Sequence, residues 1–226
     1  MSENTRSNIA VIGAGGRMGE SLCRLINNDK ALSLSFGFGR GDGHVSNWNA
    51  ANKETEVVID FSSPDLFLEA LDFCVKNQIA FVSGTTGLND SAFGKLNEAA
   101  KEIPVLWASN MSIGVQFVNR LLSEFSQLSS DFNFQISEWH HVHKKDSPSG
   151  TAITLQKTLQ DVVADKLPAI KAFREGEVFG IHEVEAKSNE EIITIKHEAL
   201  NRDVFSKGAI VAAKSLIGKL PGRYYL

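Results

Sequence analysis

The feature that most constrains the fold is a short apolar run near the start of the chain that passes directly into a glycine-rich turn. Residues 8–12 read NIAVI, residues 13–19 read GAGGRMG, and apolar residues then recur at helical spacing as far as Ile26. Strand, glycine turn and helix in this order are typical of a dinucleotide-binding unit. In such a unit Gly13 allows the tight turn, Gly15 lets the backbone approach a pyrophosphate, and the helix N-terminus faces the phosphates. An ordinary glycine turn of an α/β protein would give the same pattern.

Further apolar runs of strand length alternate with helix-like runs through the first half of the chain. The strand-like runs cover residues 32–38, 57–61, 79–83 and 104–108. The run at 57–61 has no polar alternation, as expected for a parallel strand covered on both faces. The alternation predicts a doubly wound parallel sheet of five strands. Ligands of such sheets bind at the carboxyl ends of the strands, where the stretches Gly84–Gly87 and Ser109–Asn110 lie.

The end of the second strand bears on the choice of cofactor. This strand ends at Gly39-Arg40-Gly41-Asp42 and carries no carboxylate at its tip, although Asp42 is two residues beyond Arg40. A tip carboxylate would bind the ribose hydroxyls of NAD, whereas an arginine suits the 2′-phosphate of NADP. We therefore predict NADP as the preferred cofactor and NAD as the second. An ordinary surface arginine is the alternative interpretation of Arg40.

The pattern changes in the second half of the chain. From Asp131 onward, Phe132, Phe134 and Ile136 alternate with polar residues, which indicates a half-buried strand. A helix-like run and two further strand-like runs follow, at residues 152–163, 178–186 and 191–197. A last helix-like run at 204–217 is predicted to pack back on the first domain. These patterns predict a second, α+β domain over residues 109–206, with 1–108 and 207–226 forming the first.

A cluster of basic side chains lies in residues 138–151, which read EWHHVHKKDSPSGT. Three of the six histidines of the chain fall here, His140, His141 and His143, and Lys144 follows them at once. Imidazole titrates near neutrality, and a lysine crowded by other cations is a plausible proton donor because its pKa tends to fall. The Ser-Pro-Ser-Gly-Thr turn then opens a helix, whose first amides bind carboxylates or phosphates. The cluster therefore predicts a site that holds an anion and passes it a proton.

Three other interpretations of the cluster are open. A zinc site would use His140 and His143, but neither cysteine is near and the neighbouring lysines repel a cation, so we predict no metal. A solvated charged loop is the usual setting of a charge run. Nucleic-acid contact is disfavoured by the net charge of -4 for the whole chain.

The composition and the N-terminal residues indicate the cellular compartment of the protein and its possible partners. The two cysteines, Cys23 and Cys74, are far apart in helix-like runs, as expected for reduced core thiols of a cytosolic protein. The polar start MSENTRSN has no signal-peptide pattern, and no apolar run approaches membrane-spanning length. We expect a cytoplasmic protein with neither a membrane nor a nucleic acid as its partner.

Five motifs together resemble the 4-hydroxy-tetrahydrodipicolinate reductase (dihydrodipicolinate reductase) family. They are Gly13–Gly19, Asp60-Phe61-Ser62-x-Pro64, Gly84–Gly87, Asn110–Val115 and His140–Thr151. The similarity is nearly collinear from Ile9 to about Thr158 and returns at Arg202–Ala209 and Pro221-Gly222. The resemblance implies an N-terminal Rossmann-type doubly wound parallel sheet with a second α+β substrate and oligomerisation domain. It also implies NAD(P)H-dependent reduction of a small dicarboxylate in lysine and diaminopimelate synthesis, by a homotetramer.

The resemblance also implies roles for individual residues. His140 and Lys144 would act as acid/base and proton donor, and His141 with the backbone of Gly150 and Thr151 would hold the carboxylates of the substrate. The candidate cofactor-binding residues, with Arg40 added from its strand end, are Gly13, Ala14, Gly15, Gly16, Arg17, Met18, Arg40, Gly84, Thr85, Thr86, Ala108, Ser109, Asn110 and Met111.

Two departures from the family and two rival functions remain at this point. The chain is shorter than most relatives after Phe38 and between Phe179 and Ile192, and many relatives carry an acid just before the position of Arg40. A non-enzymatic NADP-binding regulator would keep the fold without the chemistry, but it would not need the proton donor Lys144. A homoserine- or aspartate-dehydrogenase-like reductase would lack the HHVHK segment that begins at His140.

Overall fold

The computed structural model describes residues 6–41, 43–52, 54–128, 131–163 and 167–226. Asp42, which follows the tip of the second strand, lies outside the described residues. The chain divides into two compact units, Met1–Met111 with Phe205–Leu226, and Ser112–Val204. The strands are β1 Ser7–Ile12, β2 Leu32–Phe38, β3 Val57–Asp60, β4 Ala80–Ser83, β5 Pro104–Trp107, β6 Asn133–His140, β7 Lys171–Arg174, β8 Ile181–Lys187, β9 Ile192–Glu198 and β10 Gly222–Tyr224. The α-helices are α1 Arg17–Asn28, α2 Pro64–Asn77, α3 Asp90–Ala99, α4 Ile113–Leu122, α5 Gly150–Gln160 and α6 Asp203–Leu216.

The first unit contains a six-stranded parallel sheet in the order β10-β5-β4-β3-β1-β2. Every residue of β3 and β4 is buried, because helices cover both faces of the sheet. One core holds side chains of α2 and α3, and the other holds side chains of α1 and α6. The predicted doubly wound sheet is confirmed, but the number of strands was wrong. The sixth strand, β10, has only three residues and no apolar periodicity of its own.

Side-chain caps begin most of the helices. Ser63 accepts from the amide of Leu66 and is followed by a proline at the first helical position, which suits the missing N–H. Asn89, Ser112 and Ser149 cap α3, α4 and α5 in the same way. The helix α1 differs from these four, because its N-cap is Gly16 without a side-chain hydrogen bond. The N-terminal amides of α1 are therefore left for another acceptor.

The second unit holds a four-stranded mixed sheet in the order β7-β6-β8-β9. One face packs against α4 and α5 through an apolar core that includes Ile136, Leu155 and Val184. β6 runs from Asn133 to His140, so the alternating strand carries the first histidine of the cluster. One sequence boundary was wrong, because the strand expected at 178–186 begins at Ile181. β7 was not predicted, because its four residues alternate between exposed and half-buried positions at the edge of the sheet.

The helix α6 packs against the first sheet, as the sequence predicted. Ala209, Ala212, Ala213 and Leu216 are buried in the same core as α1. The close fit depends on Gly208, where a built Cβ atom would lie 1.6 Å from the carbonyl oxygen of Met111. Within the described ranges, no helix has the length and apolar character that crossing a bilayer requires.

Candidate active site

Three glycines of the turn after β1 lie where another backbone segment approaches very closely. A Cβ atom on Gly13 would lie 2.3 Å from the carbonyl oxygen of Phe61, and one on Gly15 would lie 2.1 Å from that of Arg40. Gly13 also has a φ of +78°, a conformation that other residues rarely adopt. A Cβ on Gly19 would lie 2.2 Å from the Gly13 oxygen. The turn therefore packs tightly over the carboxyl ends of β1, β2 and β3.

An account of the backbone N–H groups shows which of them can meet a ligand. Those of Gly13 and Ala14 donate to the carbonyl of Phe38, and that of Gly16 donates to Gly13. The N–H groups of Gly15, Arg17 and Met18 have no acceptor in the described part of the chain. Because buried or oriented N–H groups are normally paired, this end of α1 is prepared for an anion such as a pyrophosphate.

The loop at the end of β4 is organised by Asp60, whose functional importance the sequence analysis missed. Asp60 is fully buried, and its carboxylate accepts hydrogen bonds from Ser83 at 2.7 Å and Thr85 at 2.8 Å. It also accepts one from Ser62 at 2.5 Å. Burial raises the pKa of Asp60 against the effect of these donors. An acid inside the apolar run of β3 was the available sequence signal, because a carboxyl buried there must be hydrogen-bonded.

The other candidate cofactor residues of the first unit lie at neighbouring strand ends. Thr85 is buried and its carbonyl accepts from Trp107 at 2.8 Å, while Thr86 is exposed. The amide of Ala108 donates to Ser83 at 3.2 Å, which holds the segment after β5 against that loop. The side chain of Met111 is buried in the core, so this residue offers only its backbone. Within the first unit, the fold gathers the predicted residues at the carboxyl edge of the sheet.

In the second unit, a buried ion pair lies beside the histidine cluster. Glu138 is fully buried and Arg174 binds it with both terminal nitrogens, at 2.9 Å and 3.1 Å. The amide of Ser149 donates to the same carboxylate at 3.2 Å, and Nδ1 of His140 makes a short hydrogen bond to it. Neither member of the pair was assigned a role from the sequence. Strand periodicity does place Glu138 on the face of His140, two residues away.

His140 is held in one orientation by this contact. Its ring is nearly buried, with Nδ1 toward Glu138 and Nε2 near Gly180, where a built Cβ atom would lie 3.0 Å from Nε2. Burial lowers the pKa of His140, and the hydrogen bond and charge of Glu138 oppose that effect. Because the carboxylate accepts a hydrogen bond from Nδ1, the neutral ring carries its proton there and Nε2 is the basic atom.

Lys144 is tied to the following loop. Its ammonium group lies 2.8 Å from a carboxylate oxygen of Asp146, and the lysine side chain is 24% exposed. Burial would raise the pKa of Asp146, but the hydrogen bond and charge of Lys144, with the amides of Asp146 and Gly150, outweigh it and the pKa is lowered. Arg174 donates to the carbonyl oxygen of Asp146 at 2.6 Å, so the Lys144 loop is anchored to the buried ion pair.

The remaining predicted residues of the second unit lie on either side of this loop. Gly150 and Thr151 form the first turn of α5, directly after the N-cap Ser149, and Thr151 is buried while Gly150 is exposed. His141 is half-buried and its amide donates to Val178 at 2.8 Å. Burial, followed by the charge of Arg202, lowers the pKa of His141. Hydrogen bonds within the second unit thus link His140, Lys144 and the first turn of α5, and His141 directly follows His140 in the chain.

Two further histidines, which the sequence analysis did not single out, lie next to His140. His182 and His197 are paired across β8 and β9, and the His140 and His182 rings are 5.1 Å apart. Nε2 of His182 lies 3.3 Å from the hydroxyl of Ser149, the N-cap of α5. Nε2 of His197 lies 3.1 Å from the hydroxyl of Ser112, the N-cap of α4. Burial and the charges of nearby cationic groups lower the pKa of His182 to about 3. The alternation of β8, which puts His182 on the face of Val184, was the available sequence signal.

The low pKa of His182 predicts that the protein loses stability in acid. An unfolded histidine takes up a proton near pH 6.5, whereas folded His182 does so only near pH 3, so its contribution is complete above pH 6.5 and is lost as the pH falls. We expect the free energy of unfolding to drop by about 2 kcal/mol at pH 5 from this group alone. Urea denaturation at pH 7.5 and pH 5 should show a smaller drop for His182→Gln than for the wild type.

The exposed His143 provides the matched control for this expectation. Its side chain is 74% exposed, so His143→Gln should keep the pH dependence of the wild type. Other histidines with lowered pKa values, among them His140, leave some acid lability in every variant. Equal losses of stability in wild type and His182→Gln would contradict the assignment.

The first unit has the sheet order of a dinucleotide-binding domain and a glycine turn whose N–H groups can bind a phosphate. The second unit holds imidazole and ammonium groups at a helix N-terminus. These features define a pyridine-nucleotide-dependent oxidoreductase. Residues 7–111 match the family description "Dihydrodipicolinate reductase, N-terminus", and residues 114–226 match "Dihydrodipicolinate reductase, C-terminus". The chain belongs to the dihydrodipicolinate reductase family, and the family and reductase activity predicted from the sequence are confirmed.

Individual relatives cover nearly the whole chain. A 4-hydroxy-tetrahydrodipicolinate reductase of Bdellovibrio bacteriovorus is 42% identical over 219 residues, which are 96% of this chain and 93% of that protein. A protein of the same name from Xanthomonas campestris pv. campestris is 38% identical over 226 residues, covering 96% of this chain and 94% of the relative. The dipicolinate-bound dihydrodipicolinate reductase of Paenisporosarcina sp. TG-14 shares the fold, with a TM-score of 0.82 at 19% identity over 98% of each chain.

Proposed function

We propose that the protein reduces 4-hydroxy-2,3,4,5-tetrahydrodipicolinate to 2,3,4,5-tetrahydrodipicolinate in lysine and diaminopimelate synthesis, with His140, His141, Lys144 and the start of α5 as its substrate site. The observation that carries this assignment is the packing of His140 and Lys144 around one buried ion pair beside the first turn of α5. The relatives of this chain bear the name of that activity, and the solved structure that shares its fold binds dipicolinate, a planar dicarboxylate.

The first unit fits a pyridine nucleotide. At the start of α1, the N–H groups of Gly15, Arg17 and Met18 have no acceptor among the described residues and suit the pyrophosphate. The segments Gly84–Thr86 and Ala108–Met111 offer backbone to the nicotinamide ribose and amide. When bound, the reduced nucleotide supplies a hydride to C4 of the substrate ring. The residues of the first unit bind and orient this nucleotide, and residues of the second unit supply the proton.

The helix start of the second unit suits a carboxylate. Gly150 and Thr151 are the first two residues of α5, where N–H groups point out of the helix and the helix dipole is positive. Burial and the charge of Arg202 lower the pKa of His141, and a cationic group beside this ring favours a negatively charged ligand there. These groups meet charges that the substrate carries throughout the reaction, so their main effect should be on affinity.

The overall reaction removes one water from the substrate and adds one hydride and one proton. We assign the proton transfers to Lys144 and His140. The ammonium group of Lys144 is held by Asp146 at 2.8 Å and keeps part of its surface open. Nε2 of His140 is the basic atom of a ring whose other nitrogen is occupied by Glu138. A positioned acid/base residue typically contributes about 10²–10⁴-fold to a rate.

Three broader proposals follow from the family. The first unit is the nucleotide-binding domain and the second is the substrate and oligomerisation domain. The assembly is a homotetramer built on the outer face of the second sheet, where Trp139 and Phe173 stack at 4.9 Å and Phe173 remains 37% exposed. The protein acts in the cytoplasm. Light scattering tests the tetramer, and a monomer at micromolar concentration would exclude it.

The decisive assay generates the substrate in situ. Pyruvate and aspartate semialdehyde, condensed by the preceding synthase, generate it in the cuvette, and the oxidation of NADPH is followed at the same time. Turnover that depends on both the synthase and this protein supports the proposal. Tight binding of NADPH without any oxidation would favour the non-enzymatic regulator instead.

The preference for NADPH should depend on Arg40. Its exposed side chain follows β2, and its backbone is fixed against Gly15, so the guanidinium group can reach a 2′-phosphate. A charged hydrogen bond of about 1.5–3 kcal/mol corresponds to roughly tenfold or more in kcat/KM. We expect Arg40→Ala to lose this preference by weakening NADPH alone. The kcat/KM with NADH, which has no 2′-phosphate, is the internal control, and equal losses with both cofactors would contradict the role.

A further inference from the structure

The buried carboxylate of Glu138 contacts three residues of the candidate site, His140, Ser149 and Arg174. One oxygen accepts from Nδ1 of His140 and from Arg174 at 3.1 Å. The other oxygen accepts from Arg174 at 2.9 Å and from the amide of Ser149 at 3.2 Å. All the acceptor positions of the carboxylate are therefore directed at named partners, and Glu138 is fully buried.

These partners lead to three of the groups that the proposed reaction uses, namely His140, Lys144 and the turn at Gly150. Ser149 is the N-cap of α5 and sets the position of the turn at Gly150. Arg174 continues beyond Glu138 to the carbonyl oxygen of Asp146 at 2.6 Å, and the carboxylate of Asp146 holds Lys144 at 2.8 Å. One ion pair thus connects the imidazole, the ammonium group and the carboxylate-binding turn.

We propose that Glu138 and Arg174 are positioning residues for the reduction: Glu138 fixes the Nδ1–H tautomer of His140 and the start of α5, and Arg174 holds the Glu138 carboxylate while anchoring the Lys144 loop. This inference rests on the proposed function only where it concerns turnover. The tautomer and the connections exist in the protein without substrate and can be tested there.

The charges around His140 give the proposal a signature that a purely structural ion pair would lack. The groups that face the ring are Glu138 on β6, Arg174 on β7, His182 on β8 and Lys144 in the loop. Burial lowers the pKa of His140, Glu138 raises it, and Lys144 and Arg174 lower it. Removing the carboxylate and removing the guanidinium should therefore move the pKa of His140 in opposite directions.

The first test is nitrogen NMR of histidine-labelled protein, without substrate, over a range of pH. The wild type should show the neutral His140 ring protonated at Nδ1. Glu138→Gln should lower the pKa of His140 and mix the two tautomers, whereas Arg174→Gln should raise that pKa. The double variant, which leaves no unpaired buried charge, should fold and also mix the tautomers. A ring protonated at Nε2 in the wild type, or shifts of the same sign in both single variants, would overturn the proposal.

The second test is turnover. Glu138→Gln should lower kcat by about 10–100-fold, by analogy with the loss of a carboxylate that orients a metal-bound histidine. The Kd for NADPH, which the first unit binds, should stay unchanged. The matched control is Lys196→Gln with Glu198→Gln, which removes an exposed ion pair of 2.8 Å from β9 of the same sheet. If the wild type shows the expected tautomer but no turnover, the proposed function fails while the positioning role stands; wild-type kcat in Glu138→Gln would refute the positioning role.

Discussion

Replacing Lys144 with alanine should lower kcat by about 10²–10⁴-fold, the contribution typical of a positioned proton donor. The proton moves only as the transition state forms, so the loss should fall mainly on kcat. Some increase in KM is also expected, because the ammonium group carries charge near the helix start that we assign to a carboxylate. Steady-state kinetics at saturating substrate separate the two effects.

The neighbouring Lys145 is the matched control. Lys145→Ala removes the same charge from the same loop, but Lys145 is exposed and Lys144 is the residue held by Asp146 at 2.8 Å. We expect Lys145→Ala to keep a kcat close to that of the wild type. If Lys144→Ala also turns over at the wild-type rate with saturating substrate, Lys144 is only an electrostatic anchor, and His140 or water must deliver the proton.

Replacing Gly208 with alanine should destabilise the first unit by at least about 1–3 kcal/mol, the usual effect of overpacking a well-filled core. The added Cβ atom would lie 1.6 Å from the carbonyl oxygen of Met111 and 2.8 Å from its carbonyl carbon. Both atoms belong to the backbone, so no side-chain rotation relieves the clash and α6 must move away. Urea denaturation measures the loss. NADPH affinity should fall as well, because Met111 ends a segment that we assign to the cofactor.

The control is Gly94, a glycine in the middle of α3 with nothing within 4 Å of its built Cβ. Gly94→Ala should stabilise the protein by about 0.5–1 kcal/mol, because alanine loses less backbone entropy than glycine in a helix. The two substitutions are chemically identical and both lie inside helices, so opposite signs would demonstrate the contact with Met111. Stabilisation by Gly208→Ala would show that α6 does not pack as closely as the structure indicates.

The candidate site was predicted from the sequence to different extents in the two units. The glycine turn, the strand ends and the histidine cluster were identified because their residues are contiguous in the chain and their spacing has a local meaning. In each unit, the importance of the buried carboxylate that organises the neighbouring residues was not predicted. Asp60 is a single acid in an apolar run, and Glu138 had been treated only as the first residue of the cluster. Their importance depends on partners elsewhere in the chain, such as Thr85 for Asp60.

Apolar periodicity by itself determined the two-domain α/β architecture, the parallel first sheet and the return of α6 to it. The reason is that a few consecutive residues are enough to show which face of a helix or strand is buried. Motif similarity then determined the family. Only the tertiary structure decided that β10 joins the first sheet, that Arg174 binds Glu138 from 36 residues away, and that Gly208 lies against Met111. Such pairings join segments far apart in sequence, and their energy comes from contacts that exist only after the chain has packed. No local pattern of residues records them.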